Sequence, residues 1–356
     1  MRRLKRMDAY LARTVVVNAL LVLLVLTALA SVITFVSEVR SLSDTYTLFE
    51  AARYTVYKIP GGMYDMFAVA VLLGALLGLG ELATHNELTV LRVAGVSVAR
   101  LGLSAMVGGL LLATVCVLIG ELVMPNAEQK AEDRRAELVQ AKAGVFGAGG
   151  VWAKDGRDFV NVRSMRGGDT AIGVNIFDVS EDRQLLSASY AVRAEFSGDH
   201  SILRGVRGTN LDNQGANTFR STLRPWETSL DPDLLNLFAA DTSTLSALDL
   251  YDYIQYRRAN RLDDHRYVAA LWSHLAKPVA LLAMLLLAMP FVFGPLRSSS
   301  AGQRLLVGML IGIGFYVFNS MFMQTGIVFN LDPLLTAWLP TLLLVAIGVF
   351  AVRRIR

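Results

Sequence analysis

Cysteine is nearly absent from this 356-residue chain, and histidine is rare. The single thiol, Cys116, excludes a disulfide within the chain and any thiolate-built metal centre. The four histidines, His85, His200, His265 and His274, are scattered, with no H-E-x-x-H and no paired ligand spacing. No G-x-x-x-x-G-K-[ST] occurs either, so the chain carries no phosphate-binding loop of that type. No bound cofactor is expected here, and any ATP and magnesium chemistry belongs to a partner subunit. Charge is also scarce, at 18% of residues against the ~25% usual for soluble domains. The net charge of +4 requires no nucleic-acid partner. The apolar runs hold no central cluster of acids or bases, since Asp65, Glu121 and Lys277 fall near their ends. That absence speaks against an ion-coupled transporter and an intramembrane protease. Ser273 and His274 could be imagined as a catalytic pair, but with Trp272 beside them a polar interfacial belt is the simpler reading.

What the chain has is hydrophobic length. Of its residues 54% are apolar, concentrated in long runs. Six reach the ~20 residues that cross a hydrocarbon core: 14–37, 60–80, 98–123, about 267–293, 305–328 and 334–352. Run 14–37 is too long for a cleaved signal, and no small-x-small site follows it. Arg2, Arg3, Lys5, Arg6 and Arg13 precede it, Arg297 and Arg304 lie between runs four and five, and Arg353, Arg354 and Arg356 follow run six. The positive-inside rule then puts both termini in the cytoplasm. Residues 38–59 read as an external polar connection and 329–333 as a tight external turn.

Residues 126–262 differ in kind. Residues 128–142 continue run three as a helix. Segments 158–163, 172–179 and 190–196 alternate like strands, with Ile172, Val174 and Ile176 expected on one face. Asp155-Gly156 and Ser197-Gly198-Asp199 are hairpin signals. Strands at this spacing suggest an antiparallel sandwich, jelly roll or open barrel, and residues 246–261 read as a helix leading back. The expected organisation is an α-helical membrane protein of three plus three spans with an inserted periplasmic all-β, jellyroll-like domain. Its parts are a membrane half at 1–125, the β domain at 126–262 and a second membrane half at 263–356.

The most informative stretch is 60–97, PGGMYDMFAVAVLLGALLGLGELATHNELTVLRVAGVS. After an uncharged run it turns amphipathic at Glu81. His85, Thr89 and Arg92 recur as a polar face, and Leu88, Leu91 and Ala94 as an apolar one. Gly95 is a natural stop and Ser97 a natural N-cap for the next helix. A short surface helix between two spans can receive a push from a soluble partner, or can be an ordinary interfacial loop. Gly74-x-x-x-Gly78 and Gly308-x-x-x-Gly312 permit close helix approach but are common by chance. Arg40, Arg134 and Arg135, at the outer ends of runs one and three, suit phosphate recognition. Solvated helix charge is the plainer fate of each.

Four stretches, GALLGLGELATHNELTVLRVAG at 74–95, VWAKDGRDFV at 151–160, TSLDPDLL at 228–235 and FGPLRS at 293–298, carry a resemblance. With the three-plus-three topology, the chain resembles the LptF/LptG permeases of the lipopolysaccharide export ABC transporter along its whole length, on the LptG side rather than the LptF. The resemblance implies a non-catalytic inner-membrane subunit that extracts lipopolysaccharide and passes it to periplasmic LptC/LptA-like bridge proteins. It implies a heterodimer with an LptF-like permease, driven by a cytoplasmic LptB-like ATPase dimer. The segment after run two becomes the coupling helix, with Glu87 facing a basic group of the ATPase and His85, Leu88, Leu91 and Arg92 beside it. The segment 35–40 matches the family's gate, making Arg40 the transferred phosphate contact, with Arg134 and Arg135 above run three. Thr34 stands where LptG members often carry lysine. An LptF-like paralogue, or a mechanotransmission-type ABC subunit, is the alternative; the latter would have four spans and its insert after the first.

Overall fold

The computed structural model describes residues 2–42, 46–139, 150–166, 170–180, 184–197, 200–212, 215–228, 230, 235, 244–294 and 299–354. Expectations for the 198–199 turn, Arg297, Arg356 and most of 228–235 and 295–298 lie outside the described residues.

Among the described residues six helices are long and apolar enough to cross a membrane. Among the described residues the helices, in chain order, are α1 (Arg2–Val39), α2 (Leu48–Thr84), α3 (Glu87–Val93), α4 (Val98–Leu118), α5 (Met124–Val139), α6 (Ala247–Ala259), α7 (His265–Phe293), α8 (Ala301–Val328) and α9 (Pro333–Arg353). A π-helical turn, Ile119–Val123, joins α4 to α5 without a break. Helix α2 forms the centre of the bundle and is its most buried span, and α8 is its least buried.

Residues 48–59 do not form a polar connection. They are three further turns of α2, which runs on through Pro60. Tertiary pairing outweighs the proline here: Tyr54 and Lys58 on those turns bind Glu132 on α5, and Lys58 also binds Glu128. Pro278 and Pro290 likewise sit inside α7, which ends at Gly294. The two GxxxG pairs are both used. A Cβ on Gly74 would lie 2.4 Å from the Ala19 backbone of α1, and one on Gly78 would strike the Asn18 amide. Gly308 and Gly312 lie against Leu73, Leu76 and Val69, bringing α8 onto α2.

Between α5 and α6 the strands β1 (Val151–Asp155), β2 (Asp158–Arg166), β3 (Thr170–Val179), β4 (Leu185–Ser197), β5 (His200–Asp212) and β6 (Gly215–Trp226) form one antiparallel sheet in sequence order. The Asp155-Gly156 turn is present, with Gly156 at φ 60°. The alternation changes phase within the strands. Buried positions are Val162 and Met165, Ala171 and Val174, Ala191 and Ala194, Leu203 and Val206, so inward residues are three apart rather than two. Gly173 and Gly205, at φ 68° and 65°, lie in this row and let the backbone turn over. Ile172 is therefore not on the buried face with Val174 and Ile176. Trp226, Tyr253 and Tyr256 cover the buried face. Helix α6 is pinned to the β1–β2 hairpin by Tyr256, whose hydroxyl donates to the Lys154 carbonyl at 2.6 Å, and by Asn260, whose Oδ1 accepts from Gly156 N–H at 3.1 Å. Ser246 opens α6 with a capping box to Asp249.

Candidate functional site

The surface helix is shorter than its sequence pattern. Helix α2 continues to Thr84, and Asn86, at φ 63°, breaks it. Asparagine tolerates that left-handed conformation better than most residues. Helix α3 ends in a Schellman motif: Gly95 N–H donates to the Arg92 carbonyl at 3.0 Å and Val96 N–H to the Leu91 carbonyl at 3.1 Å. Ser97 caps α4 by accepting from Arg100 N–H. Both signals were legible as letters.

The faces of α3 differ in part from the expected ones. Leu88 is 3% exposed and Leu91 packs on the core, but Ala94 is exposed. Thr89 and Arg92 are half-buried and engaged, while His85 is exposed. The outermost residues are Val90 at 65% and Val93 at 84% exposure. With Glu87 and Ala94 they form a stripe that is apolar with one charge. The first turns of α1 brace this end. Tyr10 donates to Glu87 Oε2 at 3.0 Å, and Asp8 binds Arg100 at 2.7 Å and Ser104. Arg304, at the start of α8, is buried against Gly80 and donates to Thr84 and the Ser299 carbonyl.

At the sheet end of the bundle, Arg40 is exposed in the turn just past the end of α1. Arg135 is brought to the end of α1 and Arg134 to the first turn of α2, and both are paired. Arg134 grips Glu50 with Nη2 at 3.1 Å, and Arg135 Nε donates to Glu38 at 3.1 Å. Glu38 is buried and also accepts from the Tyr46 hydroxyl at 3.0 Å. Burial first, then that carboxylate, pushes the Tyr46 hydroxyl well above its usual range. The Arg135 guanidinium lies over the Tyr54 ring. Glu38, Tyr46, Tyr54, Lys58, Glu128 and Glu132 thus form a network with Arg135 that sequence reasoning did not assemble. The signal was there in Glu128, Glu132 and Arg135, which share one helix face at i, i+4, i+7.

A second cluster forms where α2, α4 and α7 meet. The π turn directs Glu121 inward; its Oε1 lies 3.1 Å from His274 Nδ1, and its Oε2 accepts from the Ala247 N–H of α6 at 2.8 Å. Gly120 is required, because a Cβ there would meet the Tyr64 ring at 2.4 Å. His274 is therefore a buried partner of Glu121. Beside it, Lys277 pairs with Asp65 at 2.9 Å. Among the described residues no His, Cys, Asp and Glu side chains gather as a metal site.

A multi-pass helical membrane protein carrying an inserted β domain, with an exposed apolar stripe on a braced surface helix, has the build of a transport permease. The family model described as lipopolysaccharide export system permease LptF/LptG matches residues 9–354. The lipopolysaccharide export system permease protein LptG of Escherichia coli strain K12 is 33% identical over 94% of this chain and 94% of its own length. The protein of the same description from Haemophilus influenzae is 33% identical over 95% of this chain and 96% of its own. The chain belongs to the LptF/LptG family and is a multi-pass inner-membrane permease.

Proposed function

We propose that this chain is the LptG-like half of a permease heterodimer that extracts lipopolysaccharide from the outer leaflet of the inner membrane, driven by ATP hydrolysis in a cytoplasmic subunit. In this reading both termini and α3 face the cytoplasm, and residues 126–262 form a periplasmic domain between two membrane halves. The observation that carries it is the stripe of Glu87, Val90, Val93 and Ala94 on a helix fixed at both ends. Exposed valines beside a carboxylate suit a groove with apolar walls and a basic residue, as a partner ATPase would supply. Leu88 and Leu91 transmit the push, since they key α3 into the core, while His85 and Arg92 flank the contact. Closure of the ATPase dimer on ATP moves α3, tightens the two permease halves and shifts the population from an open to a closed lipid cavity. The lipid passes to the bridge proteins.

Arg40, Arg134 and Arg135 form the phosphate-facing edge of the gate. The existing pairs shape their roles: Glu38 and Glu50 hold Arg135 and Arg134 in place, so that each guanidinium presents a fixed positive charge to a phosphate.

The test is a mild-detergent pull-down from native membranes with co-purifying proteins and lipid identified by mass. An ATPase, a second permease and bound lipopolysaccharide are expected; recovery of the chain alone would refute the assembly. Glu87→Ala should leave the fold intact, because its bond to Tyr10 is exposed, yet reduce ATPase recovery about tenfold, as for loss of one charged contact. Tyr10→Phe is the control that removes the internal bond and keeps the carboxylate. Arg40→Glu should lower lipid photocrosslinking while assembly is unchanged; equal crosslinking would remove Arg40 from the gate.

A further inference from the structure

A cavity of about 90 Å³ lies between α2, α4, α7, α8 and α9, with no part in the reading above. It is several times larger than the space one water needs, ~10–15 Å³ on the same measure. Its walls are mostly apolar, including Phe67, Val69, Leu281 and Phe315. Its lining also includes one ion pair, Lys277 with Asp65, whose side chains are 36% and 54% exposed. The Lys277 ammonium also stands 3.7 Å from the centre of the Tyr64 ring.

Depth narrows the ligand. At ~1.5 Å per residue, Asp65 lies ~28 Å from the Thr84 end of α2, and Lys277 ~24 Å from the Phe293 end of α7. In a hydrocarbon core of ~30 Å the pair therefore sits at the headgroup boundary of the leaflet next to the sheet. An apolar cavity at that depth has lipid as its solvent.

Charge narrows it further. The mouth is neutral overall, with one cation and one anion within hydrogen-bonding distance. A purely anionic headgroup would satisfy Lys277 and leave Asp65 facing like charge. A zwitterion satisfies both, and a primary ammonium can donate to Asp65 where a quaternary one cannot. A many-chained polyanionic lipid cannot place its backbone in so small a space. We propose that this cavity holds the head-proximal methylenes of one acyl chain of a phosphatidylethanolamine-type lipid, with its phosphate on Lys277 and its ammonium on Asp65. The site rests on the proposed orientation only for which leaflet supplies the lipid. Its consequence is local: the chain fills the seam between α8, the least buried span, and the bundle.

The full-length chain would be reconstituted in nanodiscs of phosphatidylethanolamine and phosphatidylglycerol, with a trace of photoactivatable phosphatidylethanolamine carrying its diazirine on an upper acyl carbon. Peptides covering 64–69, 276–281 and 315–319 should be labelled above the general lipid-facing background. Asp65→Asn with Lys277→Gln should lower that excess about tenfold, as for two charge-assisted contacts weakened to neutral ones. Ala68→Leu, which fills the cavity and leaves the mouth intact, should lower it as well. The matching phosphatidylglycerol probe should label these peptides less. Labelling that is uniform around the helices, unchanged in both variants or equal for the two probes would overturn the site. So would no labelling of these peptides, which would mean that protein covers the mouth. None of these readouts depends on lipopolysaccharide export, so failure here and failure of the permease reading are separable.

Discussion

Replacing Gly74 by alanine tests how α1 is held. The added Cβ would lie 2.4 Å from both Cα and N of Ala19, where ordinary contact begins at 3.4 Å. Backbone atoms cannot swing aside, so α1 must move by ~1 Å. A gap of that size forfeits a quarter to a half of each dispersion contact along the seam. The seam is long: Leu11, Val15, Ala19, Val22 and Leu23 are all buried. Overpacking of this kind costs roughly 1–3 kcal/mol. Against it stands the gain in helix propensity from glycine to alanine, up to ~1 kcal/mol. Gly102 and Gly314 isolate that gain, because neither would bring a Cβ within 4 Å of another group. Gly74→Ala should therefore be about 2 kcal/mol less stable than Gly102→Ala, measured by unfolding in mixed micelles. Gly78→Ala should fall between them, since its obstacles are the Asn18 amide and the Thr14 methyl rather than backbone. Equal stability of the Gly74 and Gly102 variants would refute the close approach of α1 and α2.

Two further outcomes follow from local geometry. Burial first, then Asp178 and Asp155, raise the Asp158 carboxyl above its usual range. The folded state thus binds this proton more tightly, so its contribution to stability is present below the ordinary carboxylate pKa and is lost as pH rises through the raised value. Asp158→Asn should raise the thermal midpoint near pH 7, with the difference vanishing near pH 3; a gap independent of pH would count against it. Asn86→Val should cost roughly 1–2 kcal/mol, because a β-branched residue resists positive φ, and should lower ATPase recovery. Asn86→Gly should do neither, and equal behaviour of the two would exclude a role for the break.

Much of the bundle was legible in the letters, because a span needs only a long apolar run and the caps at Gly95 and Ser97 are local chemistry. The losses came where distant pairing overrides local character. Residues 48–59 read as a loop because Tyr54 and Lys58 are polar, yet their partners on α5 make them helix. Strand β6 is exposed along most of its length, so no alternation marked it. The phase change at Gly173 and Gly205 misled a strict period of two. For the site, α3 was found, but its outward valines were not, since a polar face is usually taken as the solvated one. Arg134 and Arg135 were read as free cations because Glu50 and Glu38 precede them by 84 and 97 residues.

The uninterrupted passage from α4 through the π turn into α5 makes a lever. Helix α5 extends ~24 Å beyond the turn at ~1.5 Å per residue. A tilt of about 5° at the π turn would carry its far end ~2 Å sideways on that length. Glu121 sits at the fulcrum and holds the first amide of α6, the strut under the sheet. A small rotation of one span would thus become a displacement of both ends of the inserted domain at once, in a fixed phase set by one carboxylate.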